Sequence, residues 1–260
     1  MTLELRSARS LPRGERAELF TAAYEDYVVP FAIDEPMLEF LETAFDLDLD
    51  ASLLAFLDGE PAGLVNLGIR GDEGWIGGLG VVAAARRRGL GRTLMEAAHA
   101  EARARGVRRV WLEVIDTNTS AFALYEQLGY RVVRDVEVWS LPLAVSERGA
   151  AREVPAAEAH GRIRELRTGR EPWQRSDATL AHYTDTRGLV AEDGAALFRI
   201  RGEAVHLVQL AGEAEPLLRA LRVEAPVSIL NLPAADPAAA VFDALGGAVA
   251  VRQHEMLLEL

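Results

Sequence analysis

The chain has 260 residues, half of them apolar and 26% charged, with a formal net charge of −12 and no cysteine. That length suits two cores better than one, the acidic balance argues against nonspecific nucleic-acid binding, and the missing cysteines exclude disulfides and thiolate metal sites. No apolar run approaches the roughly 18–20 residues that span a bilayer, and MTLELRSARS lacks the apolar stretch of a secretion signal, so a cytoplasmic protein with no membrane partner is expected.

In chain order, LELRSA (3–8) reads as a strand, and PRGERAELFTAAYEDY (12–27) has helical spacing with Pro12 near its start. DEPMLEFLETAF (34–45) is a helix with Asp34 as its N-cap. FDLDLD (45–50) alternates like a strand edge, with Asp46, Asp48 and Asp50 on one side, as a solvated edge or a rim facing a cation. ASLLAFLDGEPAGLVNLGIRG (51–71) gives two strands around Asp58-Gly59. GWIGGLGVVA (74–83) is a strand whose glycines suggest a bulge near Gly77-Gly78. RRRGLGRTLMEAA (86–98) turns into a helix that ends at Gly106. The strand VRRVWLEVI (107–115), the helix NTSAFALYEQLG (118–129) capped by Asn118, and the strand YRVVRDVEVWSL (130–141) complete this half.

These elements predict a domain over 1–143, a linker over 144–155 and a second domain over 156–260. The second half reads as a worn copy of the first. VFDALGGAVAVRQHEMLLEL (241–260) tracks LYEQLGYRVVRDVEVWSL (124–141) and sets Phe242 where Tyr125 stands. LAGEAEPLLRAL (210–221) falls where the arginine-glycine turn stands, with Glu213 and Glu215 in place of arginines. Trp139 and Trp173 read as core or interface residues.

The turn at 86–93 carries the sharpest chemical signal. A strand that stops, turns through Gly89 and Gly91 and launches a helix aims several backbone N–H groups at one point, where the helix N-terminus adds roughly half a positive charge. Glycines let an anion approach the main chain, while Arg87, Arg88 and Arg92 add charge and Thr93 a hydroxyl. A glycine turn with solvated arginines is the plainer account of the same residues. All 28 basic residues are arginine, so no P-loop lysine exists, and Leu94 stands where a Rossmann fingerprint needs its third glycine. His99, His160, His182, His206 and His254 lack ligand spacing, so no metal is expected. Residues 1–60 hold 14 acidic residues against 4 arginines, as a solvated surface or as an attractor for a cation.

Arg86-x-x-Gly89-x-Gly91 fits the Arg/Gln-x-x-Gly-x-Gly/Ala turn of GNAT acetyltransferases, and the whole segment 79–133 resembles that superfamily. The likeness is nearest to its ribosomal-protein alanine acetyltransferase branch, through RRGLGR (87–92), WLEV (111–114), Asn118, and Tyr125 followed by EQLGY. Ala83 departs from it, since members often have proline there, and residues 1–50 match no acceptor-specific pattern. The resemblance implies an α/β (α+β) fold with two GNAT-like mixed-sheet domains in tandem, the second degenerate. It also implies an acetyl-CoA-dependent N-acetyltransferase acting on a primary amine, a cationic small molecule or a peptide. In that reading Arg87, Arg88, Gly89, Leu90, Gly91, Arg92 and Thr93 hold the diphosphate. Leu79, Gly80 and Val81 hold the pantetheine arm and thioester, and Asn118 adds a contact. Glu113 accepts the proton, with Asp72 and Glu73 as rivals, and Tyr125 is the general acid. A strand carboxylate paired with Arg108 or Arg109 is the structural alternative for Glu113. With no cysteine to carry an acyl group, attack is direct in a ternary complex. The second domain shapes the acceptor cleft or mediates association, a homodimer being one outcome. A CoA-binding regulator or scaffold without catalysis is the rival reading.

Overall fold

The computed structural model describes residues 2–25, 32–144 and 150–260. The predicted end of the first helix at 26–27, and 145–149 of the predicted linker, lie outside the described residues. The chain forms two compact units, residues 1–133 with 255–260, and residues 134–254.

In the first unit, β1 (Leu3–Ser7), β2 (Leu53–Leu57), β3 (Glu60–Arg70) and β4 (Glu73–Val81) pair antiparallel in sequence order, and β5 (Arg109–Ile115) lies parallel to β4. The helices α1 (Arg13–Ala23) and α2 (Glu35–Ala44) contribute Phe20 and Leu38 to one core with Leu54, Phe56 and Leu64. A second core is built on α3 (Leu90–Ala104), whose Leu90, Leu94, Met95, Ala98 and Ala102 recur at helical spacing and are all 4% exposed or less. Burying a side chain such as Leu94 stabilises by about 1.5–3 kcal/mol. The helix α4 (Thr119–Gln127) follows β5. Both predicted caps form: Asp34 accepts from the Met37 amide at 2.9 Å, and Asn118 from Ala121 at 3.2 Å.

The sheet of this unit ends on a segment distant in sequence. Residues 255–259, the end of β12 (Ala248–Glu259), lie beside β5, and the Leu260 amide donates to the Arg108 carbonyl at 2.8 Å. Met256 and Leu258 share the core of Leu94, Leu112, Tyr125 and Tyr130.

Residues 45–50 are not a strand edge. Asp48 accepts from the amides of Asp50 and Ala51, which bends the chain, and only Leu47 bridges to Gly68. The three carboxylates are drawn into separate ion pairs, Asp46 with Arg70, Asp48 with Arg105 and Asp50 with Arg9. They form neither a bare edge nor a shared cation rim.

The second unit contains β6 (Arg131–Leu141) from Arg134 onward, β7 (Arg152–Val154), α5 (Ala156–Leu166), α6 (Asp177–Leu180), β8 (Arg187–Val190), β9 (Gly194–Arg201), β10 (Ala204–Gly212), α7 (Glu215–Arg222), β11 (Val227–Pro233), α8 (Pro237–Ala244) and most of β12. Its strand order is β12-β6-β11-β10-β9-β8-β7. The plan of the first unit recurs. β10 lies parallel to β11 as β4 does to β5, and a bulge falls at Val208 in β10 as it does at Gly77 in β4. Trp139 and Trp173 are core residues here, as expected. Among the described residues no helix is long and apolar enough to cross a membrane.

Candidate active site

The first unit's site is built where β4 and β5 part. They pair only at Glu73–Trp75 with Arg109–Trp111, yet β4 runs on to Val81 and β5 to Ile115. Two parallel strands that stop pairing leave main-chain groups facing a gap. The bulge predicted near Gly77-Gly78 is present, with Gly77 as the extra residue between Ile76 and Gly78. It shifts the register of β4 where the strands separate.

The direction of the backbone follows from one bond. The Val82 amide donates to Ala62 in β3 at 3.0 Å, so Val81, and Leu79 two residues before it, turn their peptide groups away from β3 and toward the gap. Their carbonyls are already engaged: Tyr24 donates its hydroxyl to Leu79 O at 3.2 Å, and Arg86 donates Nε to Val81 O at 3.0 Å. The Leu79 and Val81 amides therefore face the gap, while Gly80 pairs its backbone with Leu64 of β3. Gly80 makes room instead, because a Cβ there would stand 2.7 Å from the Ala23 Cβ and 2.9 Å from the Tyr24 ring. Tyr24 and the bracing role of Arg86 were not read from the sequence. A tyrosine at a helix end carries no signal of the strand it meets.

Beyond β4, Arg87 and Gly89 adopt left-handed φ values of 60° and 82°, and Gly89 is the cap residue of α3 with no side-chain cap. The first-turn amides of Leu90, Gly91 and Arg92 therefore lack intrahelical acceptors. A Cβ on Gly89 would meet no atom within 4 Å, so the space over the turn is open. The first turn of α3 has no acidic residue. Arg87 and Arg88 are exposed, whereas Arg92 donates to Gln127 at 2.5 Å and Thr93 donates its hydroxyl to Gly89 O at 3.3 Å. These groups fit a polyanion held chiefly by main chain, with arginine at its rim.

Glu113 follows Trp111 on the same face of β5, two residues past the last β4–β5 pair. Its Oε2 accepts from Trp75 Nε1 at 2.9 Å. Arg108 and Arg109, the partners that the structural alternative offered Glu113, engage other carboxylates: Arg108 bonds Asp72 at 2.8 Å, and Arg109 lies 3.4 Å from Glu73. Asp72 and Glu73 stand at the zipped end of the strand pair, and Asp72 is held below the usual carboxylate range by its hydrogen bond to Arg108. Tyr125 is 7% exposed, its ring 5.8 Å from that of Tyr130. Its neighbour Leu124 packs against Gly91 at the first turn of α3, close to Leu79 of β4.

The second unit departs from this plan at each point. Past the last β10–β11 pair at Leu207 and Ile229, Arg175 donates Nε to Val208 O at 3.1 Å and Nη1 to Asn231 O at 3.4 Å. Its charge is met by Glu171 at 3.2 Å, and it is 2% exposed. The position of the gap is thus filled by a buried arginine. The Glu213 amide is taken by Asp193 O at 2.8 Å, and Glu215 opens α7. Phe242, fully buried, has no hydroxyl to offer. A cavity of about 1070 Å³ remains in this unit, lined among others by Arg134, Leu210, Glu213, Arg219 and Asp236. Among the described residues no three His, Asp or Glu side chains are placed to hold a metal.

The acetyltransferase (GNAT) family model matches residues 17–130. The ribosomal protein bS18-alanine N-acetyltransferase of Salmonella typhimurium is 46% identical over 59 residues, 23% of this chain and 40% of that protein. The chain thus spans well under half the length of the curated relatives it matches. A GCN5-related N-acetyltransferase from Sphaerobacter thermophilus shares the fold over 99% of this chain and 95% of its own, at a TM-score of 0.74 and 21% identity. A tandem GNAT protein from the clavulanic acid biosynthesis pathway does so over 99% and 98%, at 0.67 and 16%. Residues 17–130, the part of the chain that matches the acetyltransferase (GNAT) family model, hold the parted strands, the glycine turn and both Glu113 and Tyr125.

Proposed function

We propose that the first unit is an N-acetyltransferase that takes acetyl-CoA and a primary amine, cationic or peptidic, into one ternary complex. The observation that carries this reading is the meeting of an uncapped α3 N-terminus, two amides of β4 and the Glu113 carboxylate around one gap. The diphosphate would rest on the amides of residues 89–92 with Arg87 and Arg88 beside it, and the pantetheine arm along Leu79 and Val81. Asn118 is committed to capping α4 and borders the same end of β5.

An amine of lysine type has a pKa near 10.4, so roughly one molecule in 2,500 is neutral at pH 7, a cost of about 4.6 kcal/mol. Glu113 accepts the proton of the ammonium. The neutral nitrogen attacks the thioester carbon, the C–S bond breaks as Tyr125 gives its proton to the departing thiolate, and the second proton shed by the nitrogen on forming the amide restores the Tyr125 phenol. The amides of Leu79 and Val81 stabilise the oxyanion. The second unit, with Arg175 in its gap and Phe242 for Tyr125, takes no part in the transfer.

The test is CoA-thiol release from acetyl-CoA over polyamines, amino acids, aminoglycosides and N-terminal peptides. At least one amine is expected to raise release above hydrolysis. Tyr125→Phe is expected to cut turnover about 100-fold with CoA affinity within twofold. CoA binding without release across the panel would favour a non-catalytic CoA-binding protein instead.

A further inference from the structure

We infer that Trp75 is a positioning residue for Glu113, fixing its carboxylate at the mouth of the gap and favouring its ionised form. The inference rests on the reading of Glu113 as proton acceptor. Glu73, Trp75, Trp111 and Glu113 lie along one face of the β4–β5 pair, with Trp75 directly opposite Trp111 in register. Each indole reaches across to the other strand. Trp75 Nε1 donates to Glu113 at 2.9 Å, and Trp111 Nε1 donates to Glu73 at 3.2 Å. The first bond points into the opening and the second back toward the zipped end. An N–H donor stabilises a carboxylate over its acid form.

The indole of Trp75 is itself held. It is 5% exposed, and the Phe45 ring meets it edge-on at 5.3 Å. It also lies over Gly77, where a Cβ would stand 2.5 Å from the ring. The glycine of the bulge therefore has a second role, leaving the space in which the indole turns its N–H toward Glu113. The charged groups nearest in register are all engaged: Glu73 with Trp111 and Arg109, and Asp72 with Arg108. From the end of α2, Asp46 is paired with Arg70.

Three full-length variants test this through the pH dependence of kcat/KM, with thermal melting and CoA affinity as controls. Glu113→Gln is expected to lose at least 100-fold in rate; a variant with normal rate would overturn the proton-acceptor reading itself. With that loss established, Trp75→Phe is expected to move the acidic limb up by about one pH unit while the high-pH plateau stays within a few-fold of the parent. Trp111→Phe, which removes the companion bond to Glu73, is expected to leave the limb in place. An unmoved limb in Trp75→Phe, or an equal shift in Trp111→Phe, overturns the positioning role. If Trp75→Phe fails to fold, the parent's ¹H–¹⁵N indole spectrum decides. One indole resonance should titrate with the acidic limb and lose that titration in Glu113→Gln; four indoles insensitive to Glu113 would overturn the inference.

Discussion

His99 lies in α3 at 4% exposure, its Nε2 2.9 Å from the Tyr130 hydroxyl. Burial pulls its pKa down to about 4, with Arg103 adding to the effect, and the same burial pushes the Tyr130 phenol well above its ordinary value. The unfolded histidine, near 6.5, binds its proton first as pH falls, so His99 contributes stability above about pH 6.5 that is lost on the way down to about pH 4. The loss amounts to about 3 kcal/mol. Urea unfolding across that window should show the slope, and His99→Gln, which keeps a partner for Tyr130, should flatten it; an unchanged slope would assign the acid sensitivity elsewhere. Single residues were legible in the sequence when their signal was local. Asp34 and Asn118 cap the helices that their positions announced. The partner of Glu113 was not legible, because Trp75 lies 38 residues earlier and meets it only through strand register.

The helices α3 and α7 occupy matching places in their units and differ in what their first turns offer. Gly89 leaves the amides of α3 open, whereas α7 begins beside Glu213 and Glu215, with the Glu213 amide closed by Asp193. Replacing Gly89 by Asp sets a fixed negative charge where the diphosphate would lie. Aspartate tolerates a left-handed backbone better than most residues, so the fold should survive with a melting temperature within a few degrees of the parent. At about 4 Å and surface-like screening, repulsion from even part of a unit charge amounts to about 2 kcal/mol, so CoA affinity measured by calorimetry should fall at least about 30-fold. Normal affinity would remove the turn from the binding site. Elements of the 79–133 segment were legible because strand alternation, helical spacing and glycine stops agree there. The 45–50 stretch misled, since alternating aspartates score as a strand edge until Arg70, Arg105 and Arg9 are placed beside them.

Taken whole, the molecule closes the core of its first unit with residues 255–260. Met256, fully buried, and Leu258 pack with Leu112, Tyr125 and Tyr130, a pairing that no local pattern reveals because β6 follows α4 directly in sequence. A fragment of residues 1–143 contains every residue assigned to the acetyl-CoA site yet lacks that strand. It is expected to show no cooperative thermal transition and no CoA binding, where the full chain shows both; a fragment with full-length CoA affinity would make residues 255–260 dispensable. The central claim is that the main chain at the start of α3 in the first unit holds the diphosphate of CoA, and a crystal structure of the full chain with CoA tests it most directly. The diphosphate should lie within hydrogen-bond distance of the amides of residues 89–92, with the pantetheine arm between β4 and β5. Coenzyme seated in the second unit's cavity, with the 86–93 turn bare, would contradict it.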